Sequence, residues 1–216
     1  MTSIYLVRHC QAQGNVNRVF QGRIDSEISE EGQHQLDRLA ERFREISLDA
    51  IYTSPLRRAR RTAEALNRYH SLPLQVDARF IEIDGGCWEG RSWEEFPHTH
   101  PQDCDHWLHT PWSFQAEGGE AMISVYTRMG EGLMALAAAY PGGTVAVASH
   151  GCAIRNALCW ARGWPIERLN DVPWSDNTAV TLLRWEGEAP RIVWENDCSH
   201  LEEKPSMVET ASWWRK

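Results

Sequence analysis

The chain has 216 residues and a formal net charge of −8, and 42% of its residues are hydrophobic and 24% are charged. These proportions are typical of a globular protein and exclude global disorder. The acidic balance argues against nucleic acid as a partner, and no apolar run approaches the roughly 20 residues that a membrane span needs.

Predicted strands and helices alternate along the chain. Short β-rich runs predict strands, and apolar side chains at helical spacing predict amphipathic helices. In chain order we predict a strand at 3–9, a helix at 30–46 capped by Ser29, a strand at 50–54, a helix from Pro55 to about 69, an extended segment at 74–83, a helix at 120–140, a strand at 142–149, a helix at 151–163, and two paired strands within 177–187 and 191–197. This alternation predicts an α/β fold, a three-layer sandwich in which helices cover both faces of a mostly parallel mixed sheet.

The sequence favours a single domain over residues 1–216, because it contains no repeat, no linker and no break in composition. Residues 85–119 are rich in Gly, Pro, Trp and His and show no clean period. We expect this segment to form a lid-like excursion beside a ligand site. His106 and His109 have the spacing of a metal-binding pair, but a covering excursion is the simpler interpretation. The tail at 199–216 is irregular and receives no prediction.

The expected location is the cytoplasm. The N-terminus, "MTSIYLVRH", lacks the basic region, the apolar stretch and the cleavage site of a signal peptide. The six cysteines form no C-x-x-C pair, and in a reducing compartment we expect free thiols. The sequence does not define the oligomeric state, and a homodimer is compatible with it.

Polar side chains follow three of the predicted strands. His9 ends the first strand, Ser54 ends the second, and His150 follows "TVAVAS". In open α/β sheets, ligands bind beyond the carboxyl ends of the strands, so these residues are expected to share one crevice. Arg8 and Arg58 would join them, and arginine presents a rigid fork of donors that matches phosphate oxygens. The sequence therefore predicts a site for a phosphorylated substrate.

Such a site can perform covalent chemistry. A neutral imidazole is nucleophilic at pH 7, so attack on phosphorus would give a phosphohistidine and divide hydrolysis into two displacements. A carboxylic acid must then protonate the leaving oxygen and later accept a proton from water. Glu82 is the candidate for this acid. Asp84 is a rival, because alternation along an extended strand would place both side chains on the same side, and Glu89 and Glu94 are also available.

Five segments resemble, in the right order, the motifs of the histidine phosphatase superfamily, the phosphoglycerate mutase-like clan. They are "LVRHCQAQGN", "FQGRIDSEISEEG", "SPLRRARRTA", "FIEIDGGCWEG" and "VASHGCAIR", and the likeness spans roughly residues 3–185. The resemblance implies a phosphoglycerate mutase-like fold and a small phosphorylated substrate. It also implies that no metal ion or other cofactor is required.

The resemblance assigns roles to individual residues. His9 matches the nucleophile, Arg58 the phosphate-binding arginine, Glu82 the acid and His150 the second histidine. The residues expected to bind substrate beside them are Asn15, Gln21 and Gly151.

Cys10 is a departure, because the family usually has glycine at this position. Glycine tolerates unusual backbone angles and close approach to a ligand. One interpretation is a slightly altered pocket. The other is a redox-sensitive site, since a thiol near arginines ionises more readily.

The sequence favours hydrolysis over transfer. Cofactor-dependent phosphoglycerate mutases of this family carry a longer insert after the Trp-Glu-Gly motif, whereas only about 30 residues separate "WEG" from "GGE" here. We therefore expect a phosphomonoesterase acting on a small phosphorylated metabolite. The alternatives are a cofactor-dependent phosphoglycerate mutase and, in another class, a non-catalytic phosphate-binding protein whose site Cys10 has impaired.

Overall fold

The computed structural model describes residues 1–187 and 189–201, and these residues build a six-stranded sheet. The strand order is β3-β2-β4-β1-β5-β6. The strands are β1 (Thr2–Arg8), β2 (Ala50–Thr53), β3 (Leu74–Val76), β4 (Thr144–Ser149), β5 (Val180–Trp185) and β6 (Pro190–Asp197). Neighbouring strands run parallel from β3 to β1, while β5 is antiparallel to β1 and β6 is antiparallel to β5. The predicted mostly parallel mixed sheet is confirmed.

Helices cover both faces of the sheet and complete the predicted three layers. They are α1 (Gln13–Val16), α2 (Glu30–Phe43), α3 (Arg57–Leu66), α4 (Phe96–Thr99), α5 (Pro101–His109), α6 (Met122–Ala139) and α7 (Gly151–Ala161). On one face, Leu39 of α2 and Ala63 of α3 join a buried cluster with Val7 of β1. On the other face, Leu133 of α6 belongs to a larger cluster that includes Leu6 of β1. Alternate side chains of one strand therefore serve two separate cores.

The predicted helix ends were correct to within a few residues. Ser29 caps α2 as expected, since its hydroxyl accepts the N–H of Gly32 at 3.0 Å. The predicted stop of α7 at Gly163 is also found close by, with that glycine at a positive φ of 65°.

The predicted extended segment at 74–83 was wrong beyond residue 76. Strand β3 ends at Val76, and a 3-10 turn follows over Ala78–Phe80. Asp77 causes the turn, because its carboxylate accepts the backbone N–H of Arg79 at 2.9 Å and pairs with the guanidinium of the same residue at 2.6 Å. Short-range side-chain contacts here override the strand pattern.

The excursion at 85–119 is built around aromatic packing. It contains α4, α5 and two 3-10 turns, Gly86–Trp88 and Pro111–Ser113. Trp88 is fully buried and stacks on Phe96 with ring centroids 3.7 Å apart. The segment is therefore packed onto the body of the protein through its tryptophans.

Among the helices of residues 1–187 and 189–201, none combines the length and the apolar composition that crossing a bilayer requires. A short 3-10 turn, Ser199–Leu201, follows β6. The rest of the tail, which the sequence left without a prediction, lies outside the described residues.

Candidate active site

A cavity of about 680 Å³ lies at the carboxyl end of β1. Parallel pairing aligns Arg8 of β1 with Ser149 of β4, and Thr53 of β2 pairs with Ala148 of β4, so the three strands end at one edge of the sheet. The sequence-predicted residues that line the cavity are Arg8, His9, Asn15, Gln21, Arg58, Glu82 and Gly151.

His9 lies at the base of the cavity and is 3% exposed. Its Nδ1 lies 2.6 Å from the carbonyl oxygen of Cys10, and since a carbonyl only accepts, this nitrogen carries the proton. The opposite nitrogen, Nε2, therefore keeps its lone pair. The backbone carbonyl of His9 accepts the side-chain amide of Asn177 at 2.9 Å, which holds the strand end in place.

His150 lies directly beside His9. The two ring centroids are 5.1 Å apart, and the ring planes are tilted by 54°. His150 is fully buried, and its Nε2 is 2.7 Å from the hydroxyl of Ser54. Its Nδ1 is buried and has no hydrogen-bond partner among the described residues. Two imidazoles from neighbouring strands thus meet at one point, as the sequence predicted.

Two guanidinium groups flank the histidines, that of the buried Arg58 and that of the half-buried Arg8. Arg58 donates from Nη1 to the carbonyl of Ile24 and from Nη2 to the carbonyl of Gly22, both at 2.7 Å. Arg8 donates from Nη1 to the carbonyl of Ser175. The Nε atoms of Arg8 and Arg58 are buried and have no partner in the part of the chain that the structure describes. Buried donors without partners are costly, so these two atoms mark a place where an anion fits.

The electrostatics of the site favour neutral imidazoles. Burial and the adjacent Arg58 and Arg8 hold the pKa of His9 well below its ordinary value. Burial and Arg58 have the same effect on the pKa of His150. Burial also lowers the pKa of Arg58 to about 10, which leaves this guanidinium charged at pH 7. The site therefore combines fixed positive charge with two uncharged imidazoles.

Glu82 lines the cavity wall, whereas Asp84, the other candidate for the acid, does not. The carboxylate of Glu82 accepts the backbone N–H of Cys152 at 3.1 Å and that of Ala153 at 3.0 Å, at the first turn of α7. Asp84 does not line the cavity; it pairs with Arg23 at 3.1 Å and accepts the N–H of Gly86. The two side chains diverge because the backbone is not a regular strand at this point.

Asn15 and Gln21 lie on the loop that crosses the cavity. The side-chain oxygen of Asn15 accepts the N–H of Ala12 at 3.0 Å, which fixes the start of α1. Gln21 passes so close to Gly14 that a Cβ there would lie 2.3 Å from its Cγ. The oxygen of Gln21 is buried without a partner among the described residues.

Cys10 faces away from the cavity. Its side chain is fully buried in a small cluster with Leu36, Ala40 and Ala65, and it does not line the cavity wall. Burial raises the pKa of the thiol to about 11. Its φ is not positive, so the backbone needs no glycine at this position. The structure thus favours the first interpretation of Cys10, a modest change next to the site.

Arg155, Trp174 and Asn177 are among the cavity-lining residues that the sequence reasoning missed. Trp174 and Asn177 precede β5, which runs antiparallel to β1, so its beginning meets the carboxyl ends of the parallel strands. Sequence reasoning that considers only the residues following each strand overlooks residues that precede an antiparallel strand. Arg155 is the final residue of the motif "VASHGCAIR" and lines the cavity from α7.

Several other ionisable side chains do not line the cavity. Glu120 binds Arg128 through both carboxylate oxygens, at 2.8 and 3.0 Å, and does not line the cavity. Arg57 is exposed and pairs with Glu27. His109 is exposed near Asp105, and no three His, Cys, Asp or Glu side chains of residues 1–187 and 189–201 are grouped as a metal site would need.

Comparison with known proteins decides the family. The sequence model of the histidine phosphatase superfamily (branch 1) matches residues 4–198. The chain belongs to this superfamily. The fold is that of a histidine phosphatase, as the resemblance implied.

Several relatives of this histidine phosphatase are phosphatases. Phosphoserine phosphatase 1 of Hydrogenobacter thermophilus is 32% identical over 206 residues, which cover 94% of this chain and 96% of the relative. The structure of Bacillus stearothermophilus YhfR is 32% identical, with a TM-score of 0.89 over 94% of this chain and all of the other. A mycobacterial glucosyl-3-phosphoglycerate phosphatase, in a structure with VO3, is 26% identical with a TM-score of 0.80 over 90% of this chain and 99% of the other.

Proposed function

We propose that this histidine phosphatase is a phosphomonoesterase that hydrolyses a small phosphorylated metabolite through a phosphohistidine on His9. One observation carries the proposal. The proton-free Nε2 of His9 lies in a buried site beside His150, whose Nδ1 has no partner among the described residues, as is also true of the Nε atoms of Arg8 and Arg58. The site has the donors for a phosphate group and a nucleophile next to them.

The first step is attack of His9 on phosphorus. The Nε2 lone pair forms the N–P bond while the bond from phosphorus to the ester oxygen breaks. Arg8, Arg58 and His150 donate hydrogen bonds to the three non-bridging oxygens, where charge is concentrated in the transition state. Glu82 donates a proton to the departing oxygen, and the alcohol leaves.

The second step is hydrolysis of the phosphohistidine. Glu82, now a carboxylate, takes a proton from water, and the resulting oxygen attacks phosphorus as the N–P bond breaks. His9 recovers its lone pair, inorganic phosphate leaves, and Glu82 is protonated for the next cycle. Backbone N–H groups of the first turn of α7 hold the Glu82 carboxyl group in one place for both transfers.

The relatives support a small substrate. Two of them are named as phosphatases of phosphoserine and of glucosyl-3-phosphoglycerate, which are small phosphate monoesters. The mutase alternative is the weaker one, although a probable phosphoglycerate mutase of Cronobacter sakazakii is 32% identical over 76% of this chain. The non-catalytic alternative loses its basis because Cys10 does not enter the cavity.

Phosphate release tests the proposal. Wild-type protein is incubated with p-nitrophenyl phosphate and with a panel of phosphorylated metabolites, with and without EDTA. We expect turnover that EDTA does not reduce. His9→Ala should abolish turnover and the acid-labile phosphoenzyme seen after rapid quenching, whereas His34→Ala, an exposed histidine on α2, should retain both. Equal background rates in wild type and His9→Ala would overturn the proposal.

A second assay separates hydrolysis from transfer. The protein is given 3-phosphoglycerate with and without 2,3-bisphosphoglycerate, and both released phosphate and 2-phosphoglycerate are measured. We expect phosphate release to dominate. Bisphosphoglycerate-dependent isomerisation faster than phosphate release would assign the chain to the mutases.

Three expectations remain proposals beside this function. They are a single domain over residues 1–216 with 85–119 as its lid, a cytoplasmic location, and a homodimer. Limited proteolysis, cell fractionation and sedimentation test them in turn.

A further inference from the structure

Arg155 is a second buried arginine in the cavity wall, beside Arg58, and the mechanism does not use it. It lies on α7, is 7% exposed and lines the cavity with Trp174. We propose that Arg155 binds a carboxylate group on the leaving-group side of the substrate. This inference rests on the proposed phosphatase activity and specifies its substrate class as phosphate esters of small hydroxy acids.

The contacts of Arg155 leave its charge without a counter-ion. Its Nε donates to the carbonyl of Val172 at 2.8 Å, and its Nη2 donates to the side-chain oxygen of Asn170 at 3.0 Å. The guanidinium lies 4.8 Å from the ring centroid of Trp174. All three partners are uncharged, and Arg155 forms no ion pair with any residue that the structure describes. Its Nη1 has no hydrogen-bond partner in the same residues.

Such a charge is costly in a protein interior unless something compensates it. Burial lowers the pKa of Arg155, which reflects the same penalty. Two half-buried arginines of this protein show the usual compensation by a carboxylate: Arg128 binds Glu120, and Arg162 binds Glu195 at 2.5 Å. The missing anion at Arg155 is therefore supplied by a ligand, since the group faces a cavity that takes one.

The position of Arg155 fits the leaving group rather than the phosphate. Gly151 and Arg155 are four residues apart on α7 and so share one face, about 6 Å apart along the axis. A Cβ at Gly151 would lie 3.4 Å from Nε of Arg8 and 3.5 Å from the ring of Trp174. A substrate whose phosphate meets Arg8 and whose chain follows this face reaches Arg155 after one turn.

The phosphate site at Arg8 and the position of Arg155 together define a short substrate with a negative charge at each end. Two nitrogens of Arg155, Nε and Nη2, already donate hydrogen bonds within the protein. The remaining Nη1 therefore suits one singly charged carboxylate better than a second phosphate. Phosphate esters of three-carbon hydroxy acids have this shape.

Matched substrate pairs test the inference. 3-Phosphoglycerate and glycerol 3-phosphate differ only in a carboxylate replaced by a hydroxymethyl group, and phosphoserine and phosphoethanolamine differ in the carboxylate. We expect Arg155→Gln to lower kcat/KM for the two carboxylate substrates by about 30-fold, the range for a hydrogen bond to a charged group, and for their partners by less than threefold. Most of the loss should be in KM, with kcat for p-nitrophenyl phosphate retained.

Two further variants distinguish a binding role from a structural one. Arg155→Lys keeps the charge and should retain part of the preference for carboxylates. Arg18, an exposed arginine that also lines the cavity, is the competing cation, and Arg18→Gln should leave the preference unchanged. Equal losses on both members of each pair in Arg155→Gln, or loss of the preference in Arg18→Gln alone, would overturn the inference.

Binding measurements separate this inference from the proposed function. Calorimetry on His9→Ala compares 3-phosphoglycerate with glycerol 3-phosphate, and the same pair is then measured on the double variant with Arg155→Gln. We expect the first ligand to bind more tightly and the difference to vanish in the double variant. If wild type hydrolyses no ester but this binding difference is found, the phosphatase proposal fails and the carboxylate site stands. If esters are hydrolysed but the two ligands bind equally well, the phosphatase proposal stands and the carboxylate site is overturned.

Discussion

The hydroxyl of Ser54 lies 2.7 Å from Nε2 of His150 and fixes the tautomer of that ring. The same hydroxyl accepts the backbone N–H of Leu56 at 3.3 Å, and among the described residues Nε2 of His150 is the one acceptor within hydrogen-bond distance of it, so the hydroxyl donates its proton to the imidazole. Neutral His150 then carries its proton on Nδ1, which is the atom without a partner in the described part of the chain. A serine at the end of β2 thereby prepares a donor for a phosphate oxygen.

Removing this hydroxyl should weaken catalysis without unfolding the site. In Ser54→Ala, the proton of His150 can occupy either nitrogen, so a fraction of the protein loses the donor. We expect kcat to fall on the order of tenfold and KM to change little. Nitrogen NMR of the labelled imidazoles reads the tautomer directly, and Ser124→Ala on the exposed face of α6 is the control. An unchanged tautomer with unchanged kcat would remove Ser54 from the mechanism.

Replacing the acid should affect substrates according to their leaving group. Glu82→Gln keeps the shape of the side chain but has no proton to transfer. We expect kcat/KM for an alkyl phosphate to fall by about 10²–10⁴-fold, and for p-nitrophenyl phosphate by much less, because nitrophenolate leaves without protonation. Asp84→Asn, which alters a carboxylate outside the cavity, should affect neither. Equal losses on both substrates in Glu82→Gln would mean that another group is the acid.

The buried histidines should make the protein less stable in mild acid. The pKa values of His9 and His150 are lowered in the folded state, so below the ordinary value of about 6.5 the unfolded chain takes up protons that the folded chain does not. The free energy of unfolding is therefore highest above pH 6.5 and decreases as the pH falls below that value. At pH 5.5 the loss is about 1.4 kcal/mol for each histidine. Urea unfolding at pH 7.5 and 5.5 measures it.

A histidine variant isolates this effect from other titrations. His9→Gln removes one of the two groups, so the difference in the free energy of unfolding between pH 7.5 and 5.5 should be smaller than in wild type by about 1.4 kcal/mol. His34→Gln, at an exposed position, should keep the wild-type difference. A difference in His9→Gln that matches wild type would show that His9 is not held neutral.

The thiol of Cys10 should be inert. It is sealed beneath α2 and α3, and burial raises its pKa to about 11, so iodoacetamide at pH 7.5 should not inactivate the protein through it. We expect Cys10→Ala to keep kcat/KM within twofold and to lose about 1 kcal/mol of stability from the smaller core side chain. Thiol-dependent inactivation that disappears in Cys10→Ala would contradict this placement. Cys152, which does line the cavity, is the other thiol to replace in that experiment.

Much of the fold and the centre of the site could be predicted from the sequence. Buried strands and amphipathic helices have strong local patterns, and the parallel order fixes where strand ends meet. His9 and His150 meet because β1 and β4 are also neighbours in the sheet, which the alternation of elements allows but does not determine. The prediction of an extended segment at 74–83 was wrong because Asp77 contacts Arg79, two residues away, and turns the chain where the hydrophobic pattern indicates a strand.

The rest of the site could not be predicted from strand order. Asn177 reaches His9 only because β5 turns antiparallel beside β1, and the sequence carries no mark of that direction. The role proposed for Arg155 depends on the lack of a carboxylate partner among the described residues. Whether a buried charge has such a partner becomes visible only in three dimensions.

The bond between Asn177 and His9 joins residues 168 positions apart. During synthesis, residue 9 leaves the ribosome long before residue 177, so His9 is made well before the loop that holds its backbone. Long-range contacts of this kind form late, since a large loop must close first. Nascent or truncated chains that stop before this loop would carry the nucleophile without the support of its backbone, so phosphate release can serve as a reporter of completed folding.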